Sequence, residues 1–457
     1  MSLEDTIAAI ATPLQPSGLG VIRVSGKQAV SMVGYLFKGN TEKLEKTKSN
    51  KLVHGWIHDN EKLIDRVLVI IMRSPRSYTT EDVVEIQCHG SPFIMRRILD
   101  LLLDQGARLA ESGEFTQRAF LKGRLDLTQV EAISDLINAN SDMGAQIAAD
   151  QLNGELFNAI DNIRHEIIST ASLVEAKIEF PDELNEFSHK ENCIHRLEKI
   201  FYNLKKLISN AEFGQKIRKG FSVALIGKPN VGKSSLLNLL LRAERAIVTE
   251  IPGTTRDFIE EFIQIKGVPF RITDTAGIRK SEDIIELEGI KRTQIVKDKA
   301  DFILLILDAN DDLNKEDLTS INEIEKNKTL LVINKMDLKK SNLPSWYNTI
   351  KDYDHIFISA KSGKGLVQLE SILYKEATLG INFKEDEIWI TNRRQLQSAK
   401  NALIFLKKAR KVLKDNRGDE FLAMDLKSCL NALGEIVGET TPDDILEQIF
   451  SEFCIGK

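Results

Sequence analysis

The chain has 457 residues, 42% of them hydrophobic and 28% charged, with a formal net charge of -5. That length suits roughly two to four domains, and the mild negative charge excludes a strong general attraction to nucleic acid while leaving room for a local basic face. No apolar run is long enough to span a bilayer, and Cys88, Cys193, Cys429 and Cys454 share no C-x-x-C spacing, which excludes a zinc site and fits a reducing cytoplasm.

The first residues, "MSLEDTIAAIATP", carry two acids and no basic start, so no secretory signal is expected and the expected location is cytoplasmic. "GVIRVSG", "DRVLVIIM" and "DVVEIQCHG" are β-branched runs bounded by turn residues, and they predict strands. "SPFIMRRILDLLLDQG" predicts a helix stopped by glycine. From about residue 128 to 217 the apolar spacing becomes helical; 218–378 reads as α/β, and 392–453 is helical again. Neither helical block closes a core alone, so the two are expected to form one helical domain with the α/β segment inserted. The predicted boundaries are 1–120, 121–217, 218–378 and 379–457.

"FSVALIGKPNVGKSSLLNLLL" reads strand, G-x-x-x-x-G-K-S, then apolar helix. Gly227 and Gly232 let the backbone N–H groups face phosphate oxygens, Lys233 reaches the terminal phosphates, and the Ser234 hydroxyl can bind Mg²⁺. Asn230, Val231 and Ser235 complete that loop. The helix N-terminus adds the positive end of its dipole. The plain alternative, a chance glycine loop, does not account for the flanking strand and helix.

Three further segments follow in the order a GTPase needs. "GTTRD" offers the Thr254 and Thr255 hydroxyls, one of which can close on Mg²⁺. "FRITDTAG" ends a strand at Asp274, able to hold the magnesium shell through water, and gives Gly277 as an amide for the γ-phosphate. "LLVINKMD" ends in Asn334, Lys335 and Asp337, and "ISAKSG" adds Ser359, Ala360 and Lys361 behind the base. A buried carboxylate at Asp337 would accept from the two guanine donors and would be left unpaired by adenine. One residue is missing: the position that holds a water-orienting glutamine in Ras-like enzymes is Ile278. Glu282, Asp283 and Glu286 are the acids that could take that role, and their residue types do not separate them.

At this point the chain resembles, over essentially its whole length, the tRNA-modification GTPase family called MnmE or TrmE. The resemblance rests on "DTIAAIATP", "GVIRVSG", "YTTEDVVEIQCHG", "GEFTQRAFLKGRLDLTQVEAI", "GKPNVGKSS", "GTTRD", "DTAGIR" and the terminal "FCIGK". It implies an amino-terminal α+β domain that binds formyl- or methylene-tetrahydrofolate, a helical domain split in sequence, and an inserted Ras-like P-loop G domain. It implies a homodimer that works with a flavoprotein partner, MnmG or GidA, which carries the FAD. Together they would install an aminomethyl or carboxymethylaminomethyl group at C5 of the tRNA wobble uridine. It implies K⁺ held by Asn230, Thr249, Ile251 and Thr254, standing where an arginine finger would neutralise charge. It places the water-orienting glutamate at Glu286, a magnesium ligand at Thr255 beside Ser234, and makes Arg256 and Arg279 switch residues.

The resemblance also carries a folate site onto Arg23, Glu85, Arg124 and Lys457. A carboxylate can accept from the pterin amide and amino groups, and the cations can pair folate carboxylates. The residues alone would favour plain surface charges at Arg23 and Glu85. Arg124 stands where some relatives have lysine, which keeps the charge and changes the donor geometry.

The terminal "SEFCIGK" puts a cysteine four from the end, but Lys457 and the acidic residues before it argue against a prenylation box. In the resemblance Cys454 serves the modification chemistry as nucleophile or base; the alternative is a small buried hydrophobe. "GLGVIR" precedes a strand and lacks the third glycine of a dinucleotide fingerprint, so flavin and nicotinamide are not expected here. Cys88-His89 reads as packing and a turn, and the basic run 407–418 as a solvated helix face. The rival reading is a ribosome-assembly GTPase of the Era or EngA kind. It leaves the first 217 residues and the tail unexplained; a third reading is a GTP-switched scaffold with no chemistry of its own, and tetrahydrofolate binding by the isolated front half would count against both rivals.

Overall fold

The computed structural model describes residues 5–39, 44–180, 186–243, 260–274, 296–323, 325–338, 343–378 and 387–457. They form two compact units, Met1–Ser134 with Leu152–Ile160 and Asn431–Lys457, and Asp135–Gln151 with Asp161–Leu430.

The first unit is built on a seven-stranded sheet. Its strands are β1 (Ile7–Ile10), β2 (Ser17–Ser25), β3 (Phe37–Gly39), β4 (Lys51–Asp59), β5 (Lys62–Met72), β6 (Val83–Gly90) and β7 (Arg108–Leu109), in the order β3-β4-β5-β6-β2-β1-β7. All pairs are antiparallel except β1 with β7. One face alternates into the core: Val67, Val69 and Ile71 on β5 and Val84, Ile86 and Cys88 on β6 are buried, as period-two patterning demands. Helices Ala29–Leu36 and Pro92–Asp104 contribute Val33, Met95, Ile98 and Leu102 to that core. The three strands and the helix read from the sequence are present; the short strands β1, β3 and β7 carry too few residues for a periodic signal. The glycines of "GLGVIR" lie inside β2, away from any helix N-terminus.

The tail belongs to this unit. Helix Asp443–Ser451 places Phe450 against Phe120, ring centroids 6.2 Å apart, and Phe453 joins Leu127 and Val130 in the same apolar cluster. The last residues then reach β1. Gly456 has φ +95°, and a Cβ there would meet Ile10 O at 2.5 Å, so only glycine lets the tail lie this close. Phe115 N donates to Lys457 O at 3.1 Å, and Ser112 bridges Ile455.

The second unit holds a six-stranded sheet: β8 (Phe221–Ile226), β9 (Glu260–Ile265), β10 (Val268–Asp274), β11 (Phe302–Asp308), β12 (Thr329–Asn334) and β13 (His355–Phe357), ordered β13-β12-β11-β8-β10-β9. Only β9 runs antiparallel to its neighbour. β8, β11 and β12 are buried along their whole lengths, the continuous apolar runs expected of a parallel sheet covered on both faces.

Helix packing follows sequence spacing here too. Helix Arg393–Asp415 buries Leu396, Ala399, Ala402, Leu406, Ala409 and Leu413, a single stripe three or four residues apart. The Asn392 side chain accepts from Arg394 N at its start, and Asn416 ends it with φ 50°. Arg410, on its outer face, meets Glu198 at 2.7 Å and lies 4.5 Å from the Phe201 ring centre, both on helix Glu186–Ser209. The segment 135–151 is tied to other parts of this unit at three places. Arg218 Nε donates to Asp135 at 2.6 Å, Gln151 Nε2 donates to Trp389 O at 2.8 Å, and Gln264 Nε2 donates to Asp142 at 2.6 Å. Among the described residues no helix is long and apolar enough to cross a membrane.

Candidate functional site

Two constellations stand out, one in each unit. In the second unit the C-terminal ends of β8, β10 and β12 converge, which is where open parallel sheets bind ligands. The loop after β8 leads directly into helix Lys233–Ala243. Gly232 has φ +100°, and a Cβ there would run into Asn334 Nδ2, so the phosphate loop closes only around glycine. Asn230 is exposed with φ 66°, turning the loop outward at its tip. Lys233 Nζ donates to Gly227 O and Lys228 O, 2.6 Å each, so the loop's own carbonyls hold the cation over the backbone curl.

Ser234 Oγ donates to Asp274 Oδ2 at 3.1 Å, and Asp274 is buried. A hydroxyl and a buried carboxylate this close are hard oxygen donors, which suits Mg²⁺ better than a softer metal. On the other side, Asn334 Nδ2 donates to Val231 O at 2.9 Å while Ala360 N donates to Asn334 Oδ1 at 2.9 Å. Asn334 thus ties the phosphate loop to the "ISAKSG" loop with both ends of its amide. Ser359 Oγ donates to Asp337 Oδ1 at 2.6 Å, fixing that carboxylate's rotation. Lys335 Nζ pairs with Asp308 at 2.6 Å; burial raises the Asp308 pKa, and the Lys335 and Asn310 hydrogen bonds bring it below the usual range. These groups border a cavity of about 480 Å³ whose lining includes Gly232, Ser235, Asn334, Lys335, Asp337 and Ala360. Asp337 is exposed on the wall of this cavity, where the sequence reading had it buried.

Sequence reasoning missed Asn238 and Arg242, which also line the cavity. Their signal was available: they follow Ser234 at four-residue steps along one helix face. Thr249, Ile251, Thr254, Thr255, Arg256, Gly277, Ile278, Arg279, Glu282, Asp283 and Glu286 lie outside the described residues.

In the first unit, Arg23 on β2 and Glu85 on β6 are direct cross-strand partners. Arg23 Nε and Nη2 both meet Glu85 Oε1, at 2.9 and 2.8 Å, and the side chains are 15% and 21% exposed. They are interior-strand residues held against each other, which overturns the plain surface-charge reading of either. Arg23 Nη1 donates to Gly456 O at 3.1 Å, so the sequence's two ends meet at one guanidinium. Lys457 lies in their field: burial pulls its pKa down and Arg23 adds to that, against the opposing pull of Glu85 and Cys454. Arg124, exposed, donates to Ser77 O, and its Cζ lies 5.4 Å from the Tyr78 ring centre. Arg23 Cζ lies 5.3 Å from the same ring. Three cations, one carboxylate and an aromatic ring suit a flat, hydrogen-bonding ligand that also carries negative charge.

Cys454 is exposed, while Cys88, Cys193 and Cys429 are buried. Burial pushes the Cys88 and Cys429 thiols up to about 12, so neither forms a thiolate near neutral pH. The terminal thiol is therefore not the buried hydrophobe that the packing alternative required. His89 Nδ1 meets Asp65 at 2.7 Å and Cys88 Sγ contacts Gly20 O at 3.6 Å, a local arrangement that matches the packing-and-turn reading.

Comparison with known proteins joins the two constellations. Residues 6–124 match the family described as GTP-binding protein TrmE N-terminus, and residues 127–454 match the MnmE helical domain. The chain is 42% identical over 461 residues to the tRNA modification GTPase MnmE of Alkaliphilus oremlandii, with all of both chains covered. It is 41% identical over 461 residues to the protein of that name from Carboxydothermus hydrogenoformans, again with all of both covered. The Enterococcus faecalis protein of the same name is 40% identical over 458 residues, covering 99% of this chain and 98% of that one. With family matches on either side of residue 125 and identity running end to end, the chain belongs to the MnmE family of tRNA modification GTPases.

Proposed function

We propose that this chain is a potassium-activated GTPase that acts in the cytoplasm as a homodimer with a flavoprotein partner of the MnmG (GidA) kind. It uses a tetrahydrofolate one-carbon donor to install an aminomethyl or carboxymethylaminomethyl group at C5 of the tRNA wobble uridine. The observation that carries this reading is the coexistence in one chain of two prepared sites, a phosphate-and-guanine cradle and a cation-rich cluster closed by the chain's own tail.

In the nucleotide site, the amides of residues 230–235 and the Lys233 ammonium hold the phosphates, and the helix N-terminus adds its dipole. Ser234, with Asp274 behind it, would hold Mg²⁺, and Thr255 would complete that set. Bound there, Mg²⁺ would offset charge on the phosphate oxygens. Asp337, oriented by Ser359, accepts from the guanine edge; the base covers the carboxylate and makes its pairing selective. Ala360 and Lys361 back the ring. Glu286 orients the attacking water. Asn230, with oxygens of Thr249, Ile251 and Thr254, would hold K⁺, which supplies positive charge against the transition state.

In the other site, Glu85 accepts from the pterin donors while Arg23, Arg124 and Lys457 take the anionic part of the folate. The exposed Cys454 thiol, held beside this site by the docked tail, serves as nucleophile or base in the modification. The test is nucleoside mass spectrometry of tRNA from cells whose only copy of the gene is wild type, deleted or Cys454→Ser. The C5 wobble modification should be present in the first and absent in the other two. Identical profiles in wild type and deletion would overturn the tRNA reading; modification retained in Cys454→Ser would remove the thiol from the chemistry.

A further inference from the structure

The folate-type site contains an aromatic residue, the first of the motif "YTTEDVVEIQCHG", to which the sequence reading gave no site role. Tyr78 sits in the loop between β5 and β6, and its ring is the shared neighbour of two guanidinium groups, Arg23 at 5.3 Å and Arg124 at 5.4 Å. The two cations differ in every other contact. Arg23 is tied to Glu85 and to Gly456 O and lies 5.6 Å from the Phe115 ring. Arg124 donates to Ser77 O, and among the described residues it makes no ion pair. Its long side chain starts from an exposed position after helix Glu114–Leu121, so the Tyr78 ring and the neighbouring Ser77 carbonyl are what hold it in one place.

The ring itself is tightly fixed. Its hydroxyl meets Thr116 Oγ1 at 2.8 Å, on that same helix, and its body packs with Ile7, Ala9, Ala110 and Phe115. The loop on either side is locked as well. Ser77 Oγ donates to Glu81 O, Thr79 Oγ1 meets Ser25 Oγ at 2.6 Å, and Glu81 pairs with the fully buried Arg118 at 3.1 Å. Arg118 in turn holds Asp5 at 2.6 Å and Glu114 at 2.9 Å, so the helix and the loop move as one body.

We propose that Tyr78 is a positioning residue of the folate-type site: its ring seats Arg124 beside Arg23 so that both cations face one anionic ligand. This rests on the folate reading given above. The physical logic is that two like charges near each other repel, and the negative face of an aromatic ring offsets part of that repulsion without neutralising either cation. A carboxylate in Tyr78's place would consume the charge that the ligand needs. A leucine or methionine would leave Arg124 to sample solvent and would make the ligand bear the cost of ordering it.

The test is calorimetric titration of the full-length protein with 5-formyltetrahydrofolate. Tyr78→Phe keeps the ring and should bind within about threefold of wild type, whereas Tyr78→Leu should bind about tenfold or more weakly, the scale of losing one ordered cation–ring contact. Tyr78→Met, which keeps volume without a ring, should match Tyr78→Leu and serves if the leucine variant unfolds. If Tyr78 acts through Arg124, Tyr78→Met combined with Arg124→Ala should bind no more than about twofold more weakly than the weaker single variant. Wild-type affinity in both Tyr78→Leu and Tyr78→Met overturns the proposal, and so do losses that multiply in the double variant. A wild-type chain that does not bind this folate overturns the folate reading, and the Tyr78 assignment falls with it.

Discussion

The two candidate sites are assembled in opposite ways. The nucleotide site takes its phosphate cradle from one contiguous stretch, residues 227–235, in which local backbone geometry does most of the work. The proposed folate-type site takes Arg23, Glu85, Arg124 and Lys457 from four segments spread over the whole chain, and no two lie on the same element. A cradle made of backbone can be written as a spacing rule. A cluster made of side chains from distant strands exists only after the sheet has set its register and the tail has docked. The same difference separates their weak points: the first site fails by a local clash, the second by any loss of long-range placement.

The largest effect that sharpens this contrast is expected at Gly232. Gly232→Ala places a Cβ against Asn334 at φ +100°, so GTP affinity should fall by about 100-fold or more, ~3 kcal/mol. Fluorescent-nucleotide titration checks it, and affinity within a few-fold of wild type would mean that the loop opens in another way. Next is base selection. Asp337→Asn removes a carboxylate that Ser359 orients, and GTP affinity should drop by about 100-fold with xanthine nucleotide now preferred, since the new amide can donate where the carboxylate accepted. Competition between the two nucleotides reads that change.

At the folate-type site a single substitution should cost less, because several side chains share the ligand. Glu85→Gln keeps the shape and removes the charge that faces Arg23, and 5-formyltetrahydrofolate should bind about tenfold more weakly. An unchanged affinity would take Glu85 out of the site.

A pH dependence follows from the frame beneath that site. Burial raises the Glu114 and Asp5 pKa values, but hydrogen bonds from Arg108 and Arg118 outweigh it and leave both below their ordinary 4.5 and 3.8. With folded values depressed, the stabilisation is fully present above the ordinary values and is lost as pH falls through the folded ones. The midpoint of thermal unfolding for the first unit should therefore drop on titration below pH 4.5, and drop less in Glu114→Gln, for which that loss has already been incurred. The smallest effect is chemical. Iodoacetamide on the native protein should label Cys454 and spare Cys88, Cys193 and Cys429; labelling of a buried thiol at a comparable rate would show that its packing opens.

What the sequence made legible follows the same divide. Strands β8, β10 and β12 were readable because each runs directly into a motif, whereas β9 and β11 end in none and were not read; helix Arg393–Asp415 was readable because its buried stripe repeats every three or four residues. Arg23 and Glu85 were not readable as partners, since they stand 62 positions apart in sequence and their pairing depends on the register of β2 against β6. The strands β1 and β7, four and two residues long, hold a hydrophobic pattern too short to register, yet the end of β1 at Ile10 is where Gly456 of the tail lands. Tyr78 was hidden for a related reason: a lone aromatic in a loop gives no periodic signal, and its two cations approach from residues 55 before it and 46 after it.

Whether one chain carries two separable ligand sites is read by titrating Gly232→Ala and Glu85→Gln proteins with both GTP and 5-formyltetrahydrofolate. A crossed result is expected, in which Gly232→Ala loses GTP and keeps the folate while Glu85→Gln keeps GTP and weakens the folate. A variant that loses both ligands while remaining folded, or a wild-type chain that binds only one of them, would contradict it.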